Sequence, residues 1–579
     1  MNKHTVKTFF TTIVILFFSH VAQAQTDEKT QIETMTIFGP FTPTIKLTPK
    51  IERDPDPNAY TVKPPAMEFE MKTEAIHSVE NTEPLAAEPL PKEKIAKYPH
   101  NYLILGFGNY ITPYGEFYAN ISEMNNQVFG IHLKHISSQG TKDYSKNDAF
   151  SHNLVDAVYK FSGRALTVKA DVGVKANVVH YYGFKPDDLF DPSSDSIKQR
   201  YSLVSATVSI GSNDINPTDF GYLAKLKYYN LFDRFDNDET AITLNADFRK
   251  GFFLFNTRTP QKVGVQMDFA YFNNNIVVPE SDTGAPDQND VQFGIRPYFE
   301  CDWSEYSLKV GVDAGITRTT TDDTTKFYIH PVVEANIKVI QNRLYLFARL
   351  GGAIERNSFL SLTDANPFIA PGSYSANFAN KKITAAGGFS AMITKGLDLK
   401  IGGEFAKIEN MPFFISHSDV LISNFNARTH NFYTLFDNAS QVDLFMESAY
   451  SLTNKIHLSA GIHYYIINTD SLEHAYYHPK FKMILSGKYR LMERLLFGAE
   501  FYLYSKMWAA DSNNPSDITQ FNNVELPGCY DLNLSAEYRI WRELYLFAQV
   551  NNVFAQKYER YLHYPTQGLN VIGGIRFRF

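Results

Sequence analysis

From about residue 101 onward, apolar and polar side chains alternate with a period of two, segment after segment. In YDLNLSAEYRI, Tyr530, Leu532, Leu534, Ala536, Tyr538 and Ile540 fall on one face, and Asp531, Asn533, Ser535, Glu537 and Arg539 on the other. Successive side chains of a strand point to opposite faces, so one face of this segment is uniformly apolar and the other uniformly polar. KIHLSAGIHYYI repeats the pattern, with Ile456, Leu458, Ala460, Ile462 and Tyr464 opposite His457, Ser459 and His463. So does GEFYANIS, with Phe117, Ala119 and Ile121 against Glu116, Tyr118 and Asn120. Mean hydropathy is −0.27 although aromatic residues reach 15% and charged residues only 20%. Apolar residues are therefore interspersed rather than clustered, and beyond the first two dozen residues no run of eighteen apolar residues occurs. A chain of this kind in a membrane crosses it as a closed barrel.

The turns carry the second constraint. On one side they are tight, as in VIQNRLYL, ITKGLDLK, LTNKIHLS, LMERLLFG and IWRELYLF; on the other they are longer, as over Asn357 to Lys382, Glu409 to Asn431 and Ala509 to Pro527. Short turns on one rim and long loops on the other are the habit of outer-membrane barrels, with the short side in the periplasm. Residues 101–579 accommodate about 22 strands of roughly nine to eleven membrane-crossing residues each, with their connections. The expected fold is all-β: a transmembrane antiparallel up-and-down barrel of about 22 strands, preceded by a mostly disordered periplasmic tail. A soluble propeller or multi-sandwich would explain the alternation but not the rim asymmetry. Aromatic clusters (HYYG, KYYNLF, FAYFNN, FYLYSKMW) at strand ends suit the girdles that meet lipid headgroups.

The N-terminus supplies an export signal. Lys3 and Lys7 precede an apolar stretch from Phe9 to Phe18, and Ala22-Gln23-Ala24 forms a small-residue site for cleavage between Ala24 and Gln25. Residues 1–24 are thus a signal peptide, 25–100 a proline-rich acidic periplasmic tail, and 101–579 the barrel. The location this implies is the outer membrane of a Gram-negative cell, with both termini periplasmic. Removing the signal leaves 53 basic against 62 acidic residues, a balance that does not favour a nucleic-acid partner. The two cysteines, Cys301 and Cys529, lie too far apart to suggest a disulfide framework and are expected to be independent thiols.

The segment LYLFAQVNNVFAQKYERYLHYPTQGLNVIGGIRFRF resembles the C-terminal hairpin of TonB-dependent receptors. The shared elements are the step Val550-Asn551-Asn552-Val553-Phe554, then Lys557-Tyr558-Glu559, a Pro/Gly loop, and a strand closing on Phe. The resemblance implies that Ile575, Phe577 and Phe579 form the signal read by the barrel-assembly machinery, and 22 strands is the strand number of that family. In the closing strand, Leu569, Val571, Gly573, Ile575, Phe577 and Phe579 are expected to face lipid, and Asn570, Arg576 and Arg578 the lumen. Glu33-Thr34-Met35-Thr36-Ile37 resembles the short box through which such receptors engage TonB by strand addition. One departure stands out. Between that box and the barrel these receptors carry a globular plug, whereas here only 62 residues, Gly39 to His100, remain and they lack a core pattern. A lumen of this width needs filling, by the tail, by inward-folded loops or by a partner.

Nothing in the sequence points to catalysis: GxSxG, HExxH and P-loop motifs are all missing, so no catalytic residue, cofactor or metal site is expected. His474 and His478 are read as plain surface histidines, and TRTTTDDTTK (317–326) as a solvated turn rather than a calcium loop. The function implied is transport or reception of a bulky ligand across the outer membrane, with outer-membrane lipid, the assembly machinery and TonB or a periplasmic or outer-membrane protein as partners. The alternative is a plugless structural subunit of an outer-membrane assembly.

Overall fold

The computed structural model describes residues 101–579, apart from 122–125, 184–192, 214–215, 217, 255–258, 278–287, 321–322, 418–430 and 513–520. The signal peptide, the tail and the Glu33–Ile37 box lie outside the described residues.

Strands dominate, and 22 of them close a single antiparallel barrel. Each pairs with its chain neighbour from Tyr102–Gly108 through Leu495–Tyr504; the wall then continues with Cys529–Arg539, Leu544–Asn551 and Asn570–Arg578. The ring closes where Asn570–Arg578 meets Tyr102–Gly108, with Tyr102 opposite Arg578 and Gly108 opposite Ile572. A further hairpin, Met507–Ser512 with Asn522–Leu526, belongs to the long connection before Cys529. Strand faces follow the alternation of the sequence. Leu534, Tyr538 and Ile540 are exposed on the outer wall, as are Ile575, Phe577 and Phe579. Between them Arg576 and Arg578 turn inward, where both side chains reach across Leu544–Asn551 to the Glu537 carboxylate of Cys529–Arg539.

The two rims differ as the turn lengths imply. On one, Ile340 is followed by Leu344, Thr394 by Leu397, Thr453 by Ile456 and Leu491 by Leu495 as strand ends and starts. On the other, residues 358–376, 470–480 and 505–528 connect strands. The long stretches read from sequence as loops are partly strand: Leu344–Asn357 and Asn431–Thr453 reach their edges, Asn377–Thr394 and Leu397–His417 run into them, and the hairpin Met507–Ser512 with Asn522–Leu526 occupies part of the third.

Those extensions do not continue the wall. Leu344–Asn357 leaves its neighbour Thr324–Ile340 after the pair Val333–Leu350, although Thr324–Ile340 remains paired to Tyr306–Thr319 along its length. The sequence explains the point of departure. Pro331 has no N–H to offer a ladder, and Gly351-Gly352 faces it. A Cβ on Gly352 would overlap Cδ2 of His330, so the strand can cross behind His330 only as glycine. Register shifts fall nearby, at Gly351/Ala353, Lys381/Ile383 and Ile408/Met411. Asn410 at the last of these has φ 57°, the left-handed conformation that asparagine tolerates best after glycine. Bulges bend strands. Bulges shared by four adjacent strands turn their upper ends inward together. Residues 324–332 are left paired on one side only, with Phe327 and Ile329 the most exposed apolar side chains of the outer wall.

Candidate functional site: the capped mouth of the barrel

The inturned strand ends and the segment between Asn357 and Asn377 build a second core inside the long-loop mouth. Its members come from opposite parts of the chain: Val179, Tyr201 and Leu231 on the wall, Phe359, Leu362, Ile369 and Tyr374 on the segment, Phe414 and Phe432 on inturned strands, and Tyr561 and Tyr564 from the connection before the closing strand. The rings stack. Phe359 lies on Tyr374 with centroids 4.3 Å apart, and Phe368 on Tyr564 at 3.9 Å. Fully buried aromatic side chains each contribute roughly 1.5–3 kcal/mol through lost contact with water, so this cap is a packed body and not a loose cover.

Polar contacts fasten it to the wall. The Oη atoms of Tyr181 and Tyr201 donate to the carbonyls of Ile369 (2.8 Å) and Pro367 (3.0 Å), and Tyr182 Oη donates to the carbonyl of Pro565 (3.0 Å). A short helix, α1 (Phe359–Ala365), opens with a capping box in which Ser358 Oγ accepts from Ser361 N–H and Ser361 Oγ accepts from Ser358 N–H. Its first two amides, Phe359 and Leu360, donate to the fully buried Glu239 carboxylate of the wall at 2.8 and 3.3 Å. Tyr229 Oη donates to the same carboxylate at 2.8 Å. Arg356, just before the helix, is ion-paired with Asp290, both side chains almost completely buried. Its guanidinium also lies over the rings of Phe272 (5.2 Å) and Phe378 (4.9 Å). Turning the Asn274 amide lets it donate to Glu239 and accept from Arg356, completing a chain of buried polar groups. Buried charges of this kind persist only when paired and hydrogen-bonded.

Beneath the cap a cavity of about 180 Å³ opens to the lumen between the wall and α1, bordered by His152, Lys175, Tyr201, Leu231, Leu360 and Asp364. Burial pushes the Asp364 carboxyl above the usual carboxylate range, and Lys175 and Lys227 only partly offset it.

The residues singled out from the sequence distribute unevenly around this site. Ile575, Phe577 and Phe579 stand on the outer wall away from it. His478 is half-buried rather than a plain surface histidine: its Nδ1 bonds the Tyr476 carbonyl, and burial holds its pKa below the ordinary value. His474 stacks on Trp508 with centroids 4.2 Å apart, so the two histidines take different partners. Among the described residues no cluster of metal-ligating side chains occurs, and both cysteines are free thiols. The aromatic clusters assigned to headgroup girdles need correction. Tyr228 faces outward as expected, but Tyr181, Tyr229 and Phe272 are buried inside, because neighbours in a strand face opposite ways and the inner set meets the cap. Nothing in the sequence marked out Glu239, Arg356 or Asp290. A lone charge on the lumenal face looks like any other until the segment that buries it is in place.

Similar barrels are known. Over 84% of this chain and 79% of its own length, the pyoverdine outer membrane receptor FpvA from Pseudomonas aeruginosa PAO1 superimposes with a TM-score of 0.61 at 14% identity. The FrpB iron transporter from Neisseria meningitidis (F3-3 variant) gives 0.62 at 11% identity, covering 84% of this chain and 82% of that one. The siderophore receptor PirA from Acinetobacter baumannii gives 0.59 at 9% identity, over 84% and 81%. By sequence, no family model and no curated protein matches the chain. At these identities the likeness establishes a shared barrel fold.

Proposed function

We propose that the protein is an outer-membrane transporter or receptor for a bulky ligand, coupled to TonB through Glu33–Ile37, in which the inward-folded cap does the occluding that a plug does elsewhere. The observation that carries this reading is the cap itself: a barrel of 22 strands has a wide lumen, and the packed core spans its long-loop mouth. The superimposable receptors and transporters add support. In this reading the short-turn rim is periplasmic, the barrel-assembly machinery reads Ile575, Phe577 and Phe579, and export cleaves between Ala24 and Gln25. Neither the cap nor the similar proteins favour the structural-subunit alternative.

Coupling is tested with the full-length protein on an immobilised TonB C-terminal domain. The wild type is expected to be retained, and Thr36→Pro to be lost, since proline removes a backbone donor from the added strand. Retention of the proline variant would remove this box from the account. Orientation is tested separately by single cysteines in a Cys301→Ser, Cys529→Ser background. Glu473→Cys, on the long-loop rim and highly exposed, should react with an impermeant maleimide on intact cells, and Asn454→Cys, in a tight turn, only after lysis. The reverse labelling would invert the topology.

A further inference from the structure

Resting on the transport reading for its biological role, we infer that the cavity beneath α1 is a binding site for a small organic anion, a carboxylate or phosphate carried on a compact apolar body. The cavity has two ends of different chemistry. One is apolar, formed by Leu203, Leu231, Leu360 and Pro367. At the other, the space runs into a second cavity of about 100 Å³ that shares His152, Lys175 and Asn177 with the first and adds Lys134. A cavity of about 150 Å³ is enough to hold a benzene ring, so the cavity as a whole, about 180 Å³, takes a group of that size.

The basic end carries charge that the protein does not neutralise by contact. Lys134 and Lys175 stand on the inner wall with Leu154 between them in cross-strand register. Their backbones are therefore about 10 Å apart, two strand spacings, within reach of one anion for two flexible stems. Lys227 lies farther along the same wall, over the Tyr229 ring at 5.2 Å. Among the described residues none of the three is in an ion pair; Glu116 and Asp156 feel Lys134 and Lys175 only through space and make their closest contacts elsewhere. Glu116 accepts from Tyr102 and Tyr114 and contacts His132, and Asp156 lies 3.9 Å from His132. Asp364, on the cap helix, borders the cavity together with Lys175 and is within electrostatic reach of both Lys175 and Lys227 without an ion pair to either. Cations of one sign lining a concave, partly apolar wall raise the local concentration of anions, and ammonium–anion hydrogen bonds are the strong kind. An anion in the cavity lies between the lysines and Asp364, so the wall attracts it and the cap helix repels it.

These opposed terms give variants of opposite sign. Isothermal titration of the purified full-length protein in detergent, with phenylacetate, phenyl phosphate and phenethylammonium as probes, is expected to show binding of one or both anions and not of the cation. Lys175→Gln should weaken anion binding about tenfold, the loss of one charge-assisted hydrogen bond. Asp364→Asn should strengthen it about threefold by removing a like charge, an outcome that a folding defect does not imitate. Comparing phenylacetate with phenyl phosphate separates a carboxylate site from a phosphate site. Equal binding of phenethylammonium, an unchanged affinity in Lys175→Gln combined with Lys134→Gln, or no binding of either anion would each overturn the proposal. Retention on TonB is read independently, so either reading can fail while the other stands.

Discussion

Replacing Arg356 with methionine is expected to release the cap while leaving the barrel wall assembled. The side chain is 5% exposed and its partner Asp290 1%, and Glu239 lies within the same buried network. Methionine keeps much of the volume but leaves two carboxylates without a cation. Removing one partner of a buried ion pair costs about 3–5 kcal/mol, most of it the penalty of the stranded charge. That is comparable to what one or two buried aromatic side chains contribute to the cap. The barrel strands below Leu350 do not depend on this contact. Cells carrying Arg356→Met should therefore become sensitive to large antibiotics that the wild-type outer membrane excludes, while the variant still migrates on gels as a folded, heat-modifiable barrel. Wild-type antibiotic resistance in a correctly assembled variant would show that the latch is dispensable for closure.

The second large effect concerns the wall. An arginine at a mid-membrane, lipid-facing position of a barrel costs about 2–4 kcal/mol, whereas a lumenal arginine is solvated. Leu534 is exposed on the outer face and Ser535 turns inward beside Gly498. Leu534→Arg should accordingly accumulate as unfolded protein, and Ser535→Arg should reach the membrane at near wild-type levels. If both assemble equally well, the assignment of faces along Cys529–Arg539 is wrong.

The outer wall was legible in the chain because the rules that build it are local. A period of two assigns every side chain to a face without reference to any distant residue, as in YDLNLSAEYRI, where the exposed Leu534 and Tyr538 alternate with inward Ser535 and Glu537. Tight turns such as Thr453-Asn454-Lys455-Ile456 set neighbouring strands side by side, and counting strands between turns gives 22. Closure follows, because an open edge in lipid leaves backbone groups unsatisfied.

The cap was not legible, and the reason is distance along the chain. Glu239 meets Phe359 across 120 residues, Tyr181 meets Ile369 across 188, and Tyr561 meets Ala365 across 196. No pattern within a strand encodes such a meeting. Its local marks were visible, Pro331, the Gly351-Gly352 pair and Asn410 among them, but a glycine pair in a strand has several meanings. Only the crossing behind His330, where a Cβ would collide, selects one. The same holds for KYYNLF. Alternation sends Tyr228 and Tyr229 to opposite faces, yet whether the inner one meets water or a packed lid depends on a segment more than a hundred residues away. Side-chain alternation determined the barrel and its two faces; long-range packing alone decided that the barrel folds its own wall across its mouth.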